Sequence, residues 1–203
     1  MGDGDFTGQL GEIRSKLELL RRLAAENGSG VVIEDPATLE PVPELPAGVT
    51  EVFGMFRRIE GSYFRFVQPA EVSGPAAWAA REINPEDPMG NPLVIGYEIH
   101  SVPSFAADDI VGGDPIRMDA EDGGVYYLEP DDYVMLYENP DEDVEIEDFA
   151  GDIVTFFNEF VLGDKYPFLV ETVLGSGARN DRDRNGEYTD TWMRLLVRAG
   201  LAA

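Results

Sequence analysis

Between Arg117 and Lys165 run 47 residues with no lysine or arginine, and 16 of them are aspartate or glutamate. An acidic stretch of this kind is usually a solvated tail, poor in aromatic and β-branched residues. Here Phe, Tyr, Val, Leu and Ile recur at the spacings of strands and a helix. The segment must therefore fold while repelling itself. That is achievable only if the carboxylates sit outside the core, where either solvation or a basic partner accounts for them.

Within it, Ile116 to Met118 is predicted as a short strand, Asp122-Gly123-Gly124 as a turn and Val125 to Leu128 as the next strand. Glu129-Pro130-Asp131-Asp132 has proline at the second position of a turn, and Tyr133 to Tyr137 reads as a further strand. Turn and strand alternating at this spacing predict an antiparallel meander. Residues 138–148, the densest acid run, form a connector. A helix follows, because Phe149, Ile153, Phe156, Phe157, Phe160 and Val161 fall on one face, and Gly163 closes it. The expected core residues are Val125, Tyr127, Val134, Leu136, Phe149, Ile153, Phe156 and Phe160.

The flanks add helices. Leu10, Ile13, Leu17, Leu20 and Leu23 share a face of a helix over 7–26, with Thr7 as N-cap. Pro36, Pro41, Pro43 and Pro46 make 34–48 an extended connector. A second helix is expected over 48–58, strands over Tyr63–Val67 and Leu93–Ile99, a helical turn around Trp78 and a loop over 103–115. Residues 175–187 read as a loop. A last helix over Thr189–Ala199 buries Trp192, Leu195 and Leu196, with Gly200 at its end. The layout predicts one α+β domain over 1–203, a central antiparallel or mixed sheet flanked by helices.

Net charge is −25 with 43% hydrophobic residues, so the chain can build a core yet repels phosphate and anionic lipid. Nucleic acid and membranes are excluded as expected partners, and a basic protein is favoured through long-range steering. Solubility alone is the competing explanation of the charge. Cysteine is absent, which excludes disulfide and thiol chemistry. The first residues lack a basic and apolar leader, and no apolar run reaches membrane-spanning length. Two lysines against thirteen arginines, with abundant Ala, Gly and Pro, fit a GC-rich bacterial genome.

The candidate catalytic and metal motifs fall short of what their chemistry requires. His100 is the only histidine, and Ser101 and Ser104 lie near it in sequence without a nucleophile elbow. Asp108-Asp109, Asp131-Asp132 and Asp141-Glu142-Asp143 are adjacent carboxylates in turn settings, and so read as solvated surface. Asp181, Asp183 and Asn185, with Gly186, begin like a calcium loop, but the twelfth position is Trp192 rather than glutamate, and Arg182 and Arg184 sit between the ligands. No phosphate-binding glycine motif occurs. No catalytic residue, resident metal or cofactor is expected.

The order of parts resembles a known family. Leu45-Pro46 opens a helix, Pro69-Ala70-Glu71-Val72 follows a strand, and Pro92-Leu93-Val94-Ile95-Gly96 opens another. Asp122-Gly123-Gly124-Val125-Tyr126-Tyr127-Leu128, Val134-Met135-Leu136-Tyr137 and Thr155-Phe156-Phe157-Asn158-Glu159-Phe160-Val161 complete the series. Over roughly 45–165 this resembles the SUKH superfamily, which comprises a yeast-type cell-wall regulator and bacterial toxin-immunity proteins. The departures are 73–90, 103–115 and an added piece at 166–203. The resemblance implies a cytoplasmic binding protein without shared catalytic residues that neutralises a toxin, often a nuclease. A regulatory protein of the same fold is the alternative, and a carboxylate- or calcium-dependent hydrolase a third. The binding face expected from the charge is Asp131, Asp132, Glu138, Asp141, Glu142, Asp143, Glu145, Glu147 and Asp148.

Overall fold

In the computed structural model, which describes residues 4–27, 30–101, 113–139 and 144–203, seven strands follow one another across one sheet in chain order. They are β1 (Val32–Ile33), β2 (Arg58–Glu60), β3 (Phe64–Val67), β4 (Leu93–Glu98), β5 (Pro115–Met118), β6 (Val125–Tyr127) and β7 (Glu147–Ala150). Every neighbouring pair is antiparallel, which decides between the antiparallel and mixed alternatives. The helices are α1 (Gly4–Asn27), α2 (Val49–Phe53), α3 (Pro75–Ala79), α4 (Pro130–Glu138), α5 (Ile153–Thr155), α6 (Tyr166–Arg179) and α7 (Thr191–Ala199). Residues 70–73 add a 3₁₀ turn, and a π-helical stretch over 156–161 continues α5. The fold is α+β.

Alternation along the strands separates the two faces of the sheet. Ile59, Phe64, Phe66, Ile95, Ile116, Met118, Val125 and Tyr127 join the main core with residues of α1, α2, α5, α6 and α7. Aromatic rings dominate the contact. Phe66 meets Phe156 and Phe157 edge-on, Phe64 meets Tyr166, and Phe53 meets Phe157. Such pairs add about 0.5–1.5 kcal/mol each beyond the area they bury. The expected stripe from Phe149 to Val161 is buried throughout, as are Ile13, Leu17 and Leu20 of α1. Tyr126 and Arg117 alternate with core residues and point to the opposite face. There Tyr126, Leu128 and Leu136 form a second, smaller cluster with Met89, Tyr133 and Val144.

Several boundaries and elements differ from the sequence reading, which placed no strand at Val32–Ile33, Arg58–Glu60 or Glu147–Ala150 and no helix over 166–174. The helix expected from 7 begins at Gly4, so Thr7 lies inside it and is not the N-cap. The helix expected over 48–58 stops at Phe53, and Arg58 already belongs to β2. Part of the loop expected over 175–187 is helical, because α6 runs to Arg179 across a break at Gly175 with φ +83°. Phe149 lies in β7 rather than at the head of a helix.

The larger correction is Tyr133–Tyr137, which is helix α4 and not a strand. Pro130 takes the first helical turn, where its missing N–H costs nothing, and Asp131 and Asp132 meet the positive end of the helix dipole. The same four residues satisfy turn and helix-start rules equally well. With α4 removed from the sheet, β6 pairs instead with β7, opposing Tyr126 to Asp148 and Tyr127 to Glu147. A bulge beside Phe149 re-aims the strand there. Val134, expected in the core, is 53% exposed.

The carboxy-terminal piece completes the main core. Leu169, Val170, Trp192, Met193, Leu195 and Leu196 are all buried in it. Trp192 donates its indole N–H to the Val161 carbonyl at 2.8 Å, and its Cβ lies so close to Gly61 that any Cβ there would collide. Asp190 caps α7 by accepting the Trp192 amide at 3.0 Å. Asp152 caps α5 through the Thr155 amide at 2.7 Å.

The π-helical stretch is tied to α1 by one cation. Lys16 donates to both the carbonyl and the side-chain oxygen of Asn158 at 2.7 Å, and Asn158 in turn donates to Glu12 at 2.9 Å. Burial pulls the Lys16 ammonium below its ordinary range, with Glu12, Asp164 and Glu159 opposing the shift. Wide helical turns of this kind leave carbonyls without their usual partners, and Lys16 supplies one. Lys16→Met should lower the folding free energy by about 2 kcal/mol, the scale of hydrogen bonds made by a charged donor. Urea denaturation of this variant beside Asn158→Ala and the double variant checks it, since removing both partners should cost less than the sum of the two single losses.

Candidate functional site

The carboxylates flagged by sequence divide by position. Asp131 and Asp132 lie in the first turn of α4, and Glu138 at its last residue. Glu145 follows on the way into β7, where Glu147 and Asp148 sit. Asp141, Glu142 and Asp143 lie outside the described residues. Asp131, Glu138, Glu145 and Asp148 are exposed, and Asp132 and Glu147 are half-buried.

Elsewhere some of the acids are matched. Glu34 holds Arg57 and Arg58 at 2.6 Å, Glu60 holds Arg65 at 2.7 Å, Glu159 holds Lys165 at 2.5 Å, and Glu171 holds Arg179. Among the described residues, no ion pair reaches a carboxylate between Asp119 and Asp152. The segments outside the described residues contain no lysine or arginine either. Neither cation that borders the acid stretch forms an ion pair with the carboxylates of α4 or β7. Lys165 is spent on Glu159. Arg117 is buried beneath α4, donating to the Leu128 carbonyl at 3.3 Å with its guanidinium 4.7 Å from the Tyr133 ring centre.

The floor under α4 is aromatic and poorly hydrated. Burial, together with the bond its hydroxyl donates to Asp87 at 2.7 Å, pushes the Tyr133 phenol up to about 12. Burial raises Tyr126 further, and its hydroxyl has no hydrogen-bond partner among the described residues. Both phenols stay neutral at physiological pH.

Sequence reading missed the outer surface of α4. Val134, Met135 and Tyr137 are 53%, 45% and 47% exposed, and Ile146 beyond the connector is 39% exposed. The signal for it lay in Pro130-Asp131-Asp132 read as a helix start. Tyr133 and Leu136 then face the sheet, and Val134 and Met135 face out.

The other candidates are placed elsewhere. His100 is exposed, and its ring lies 4.4 Å from that of Tyr63. The Ser101 amide donates to Glu98 at 2.6 Å, and Ser104, Asp108 and Asp109 lie outside the described residues. In the calcium-like loop, Asp183 accepts the amides of Asn185 at 2.8 Å and Glu187 at 3.0 Å, and these bonds hold its carboxyl below the ordinary range. Asp181 accepts the Thr189 hydroxyl at 2.7 Å. Those oxygens are committed to the loop, and no cluster of three ligating side chains that could hold a metal ion occurs among the described residues. No helix among them is long and apolar enough to cross a membrane. Compared with protein-family models, curated proteins and solved structures, the chain matches none.

Proposed function

We propose that this chain is a non-catalytic acidic binding protein that neutralises a bacterial toxin, in the manner of SUKH immunity proteins, by covering a basic surface of it in the cytoplasm. The observation that supports the reading is the block of carboxylates on α4 and β7 that no ion pair reaches among the described residues, whereas the ion pairs formed by those residues all lie elsewhere. A fixed array of carboxylates offers a nuclease-type partner the charge pattern of a phosphate backbone. Such a partner is drawn in over several ångströms before contact, an attraction screened beyond about 10 Å at 0.1 M salt.

The test begins with the neighbouring gene, which should encode a large secreted protein with a toxin-like carboxy-terminal domain. Co-expression with that domain should restore growth. Raising salt from about 0.05 to 0.5 M should slow association roughly tenfold or more, and reversing Asp131, Asp132, Glu138 and Glu145 to lysine should slow it by a similar factor. An association rate indifferent to both changes, or growth that is not restored, rejects the proposal.

A further inference from the structure

We propose that the outward face of α4 is an apolar anchor that receives the nonpolar side chains of a cationic amphipathic helix on the partner; this deepens the acidic-surface reading and rests on it. Asp131, Val134, Met135 and Glu138 stand at i, i+3, i+4 and i+7, and so share one side of the helix. All four are exposed, whereas Leu136 is buried and Tyr133 half-buried against the sheet. Two nonpolar side chains are thereby bracketed by carboxylates along one stripe, with exposed Tyr137 one turn on from Val134. α4 already has a buried face, so the outer apolar pair is not needed to fix it to the sheet. Other large exposed nonpolar residues, such as Phe168 and Val197, lie on other helices.

The occupant is selected by charge. A second copy of this chain at the same face would bring Asp131 and Glu138 against their own equivalents, with no ion pair among the described residues to offset either. An anionic lipid surface is repelled for the same reason. A helix with lysine or arginine flanking leucine or similar side chains matches both the rim and the centre. Methionine at the centre suits this use, because its unbranched thioether adapts to differently shaped partners. The two parts act on different rates. The rim carboxylates accelerate encounter, and the anchored side chains hold the complex once formed.

Two helical peptides of 18 residues separate these contributions, one of leucine and lysine in amphipathic register, the other with serine in place of leucine. Binding kinetics are measured against the full chain and against Val134→Ser/Met135→Ser. Both positions are exposed, so the double variant should unfold at nearly the wild-type denaturant midpoint, which is checked first. The leucine peptide should dissociate about tenfold faster from the double variant, with an association rate altered by less than about twofold. The serine peptide should not distinguish the two proteins. Equal dissociation of the leucine peptide from both proteins overturns the anchor and leaves the acidic reading standing. Association that ignores reversal of Asp131, Asp132 and Glu138 to lysine overturns the acidic reading and the anchor with it. A wild-type dimer in sedimentation that the double variant abolishes assigns the face to a second copy, and overturns the proposal.

Discussion

Replacing Asp190 with alanine should remove about 2–4 kcal/mol of folding stability, read as a lower urea midpoint at unchanged slope. Asp190 is 2% exposed, and its two oxygens serve several donors. One accepts the Trp192 amide at 3.0 Å and the Ser62 hydroxyl at 3.2 Å, and the other accepts the Tyr166 hydroxyl at 2.6 Å. Loss of the cap frees the first turn of α7. Loss of the acceptor also strands the Tyr166 hydroxyl inside the core, where an unmade bond costs more than a made one contributes. Asp190→Asn keeps an acceptor for the Trp192 amide and should cost much less.

The same residue carries a pH dependence. Burial lifts the Asp190 carboxyl above its ordinary 3.8, against the opposing bonds from Tyr166, Trp192, Ser62 and Met193. The folded protein therefore holds this proton more tightly than the unfolded chain does. Its contribution is whole below the unfolded value and is lost as pH rises through the raised folded value. The stability advantage of wild type over Asp190→Asn should shrink as pH climbs from below 4 toward neutrality. An advantage that grows over that range contradicts the assignment. Tyr166 is raised in turn by burial and by Asp190, so it does not titrate in the same window.

A comparable loss, about 3–5 kcal/mol, is expected for Phe157→Ala. This ring is fully buried and meets Phe53, Phe56, Phe66 and Phe156, joining α2, the sheet and the π-helical stretch at one point. Its removal leaves a cavity that neighbouring rings cannot close, because each is held by others. Val134→Ala is the informative companion. A strand over Tyr133–Tyr137 would bury Val134 and predict a loss of about 1–2 kcal/mol, whereas its 53% exposure on α4 predicts a change within about 0.5 kcal/mol. Parallel denaturation of the two variants therefore tests the corrected element as well as the core.

The amphipathic stripe of α1 and the row from Phe149 to Val161 were legible because periodicity reports which face is buried wherever a segment is long enough to repeat. Turns at Asp122-Gly123-Gly124 were legible for a local reason too, since Gly123 adopts φ +84°, open to glycine at no cost. Tyr133–Tyr137 was not, because five nonpolar residues do not distinguish a strand from a helix, and Pro130 serves both. The candidate site followed the same division. Its carboxylates could be counted from the sequence, but their lack of partners depends on where Arg117 and Lys165 point.

Local order therefore determined the strands from Tyr63 to Leu128 and most of the helical stripes. Tertiary structure decided which strand closes the sheet. The Tyr126–Asp148 and Tyr127–Glu147 pairings span some twenty residues, and no local propensity encodes them. It also decided that 166–203 completes the core, since Trp192 reaches Val161 and packs on Gly61. The same long-range pairing frees α4 from the sheet and turns Val134 and Met135 outward among carboxylates, because only one face of that short helix can be buried against the sheet.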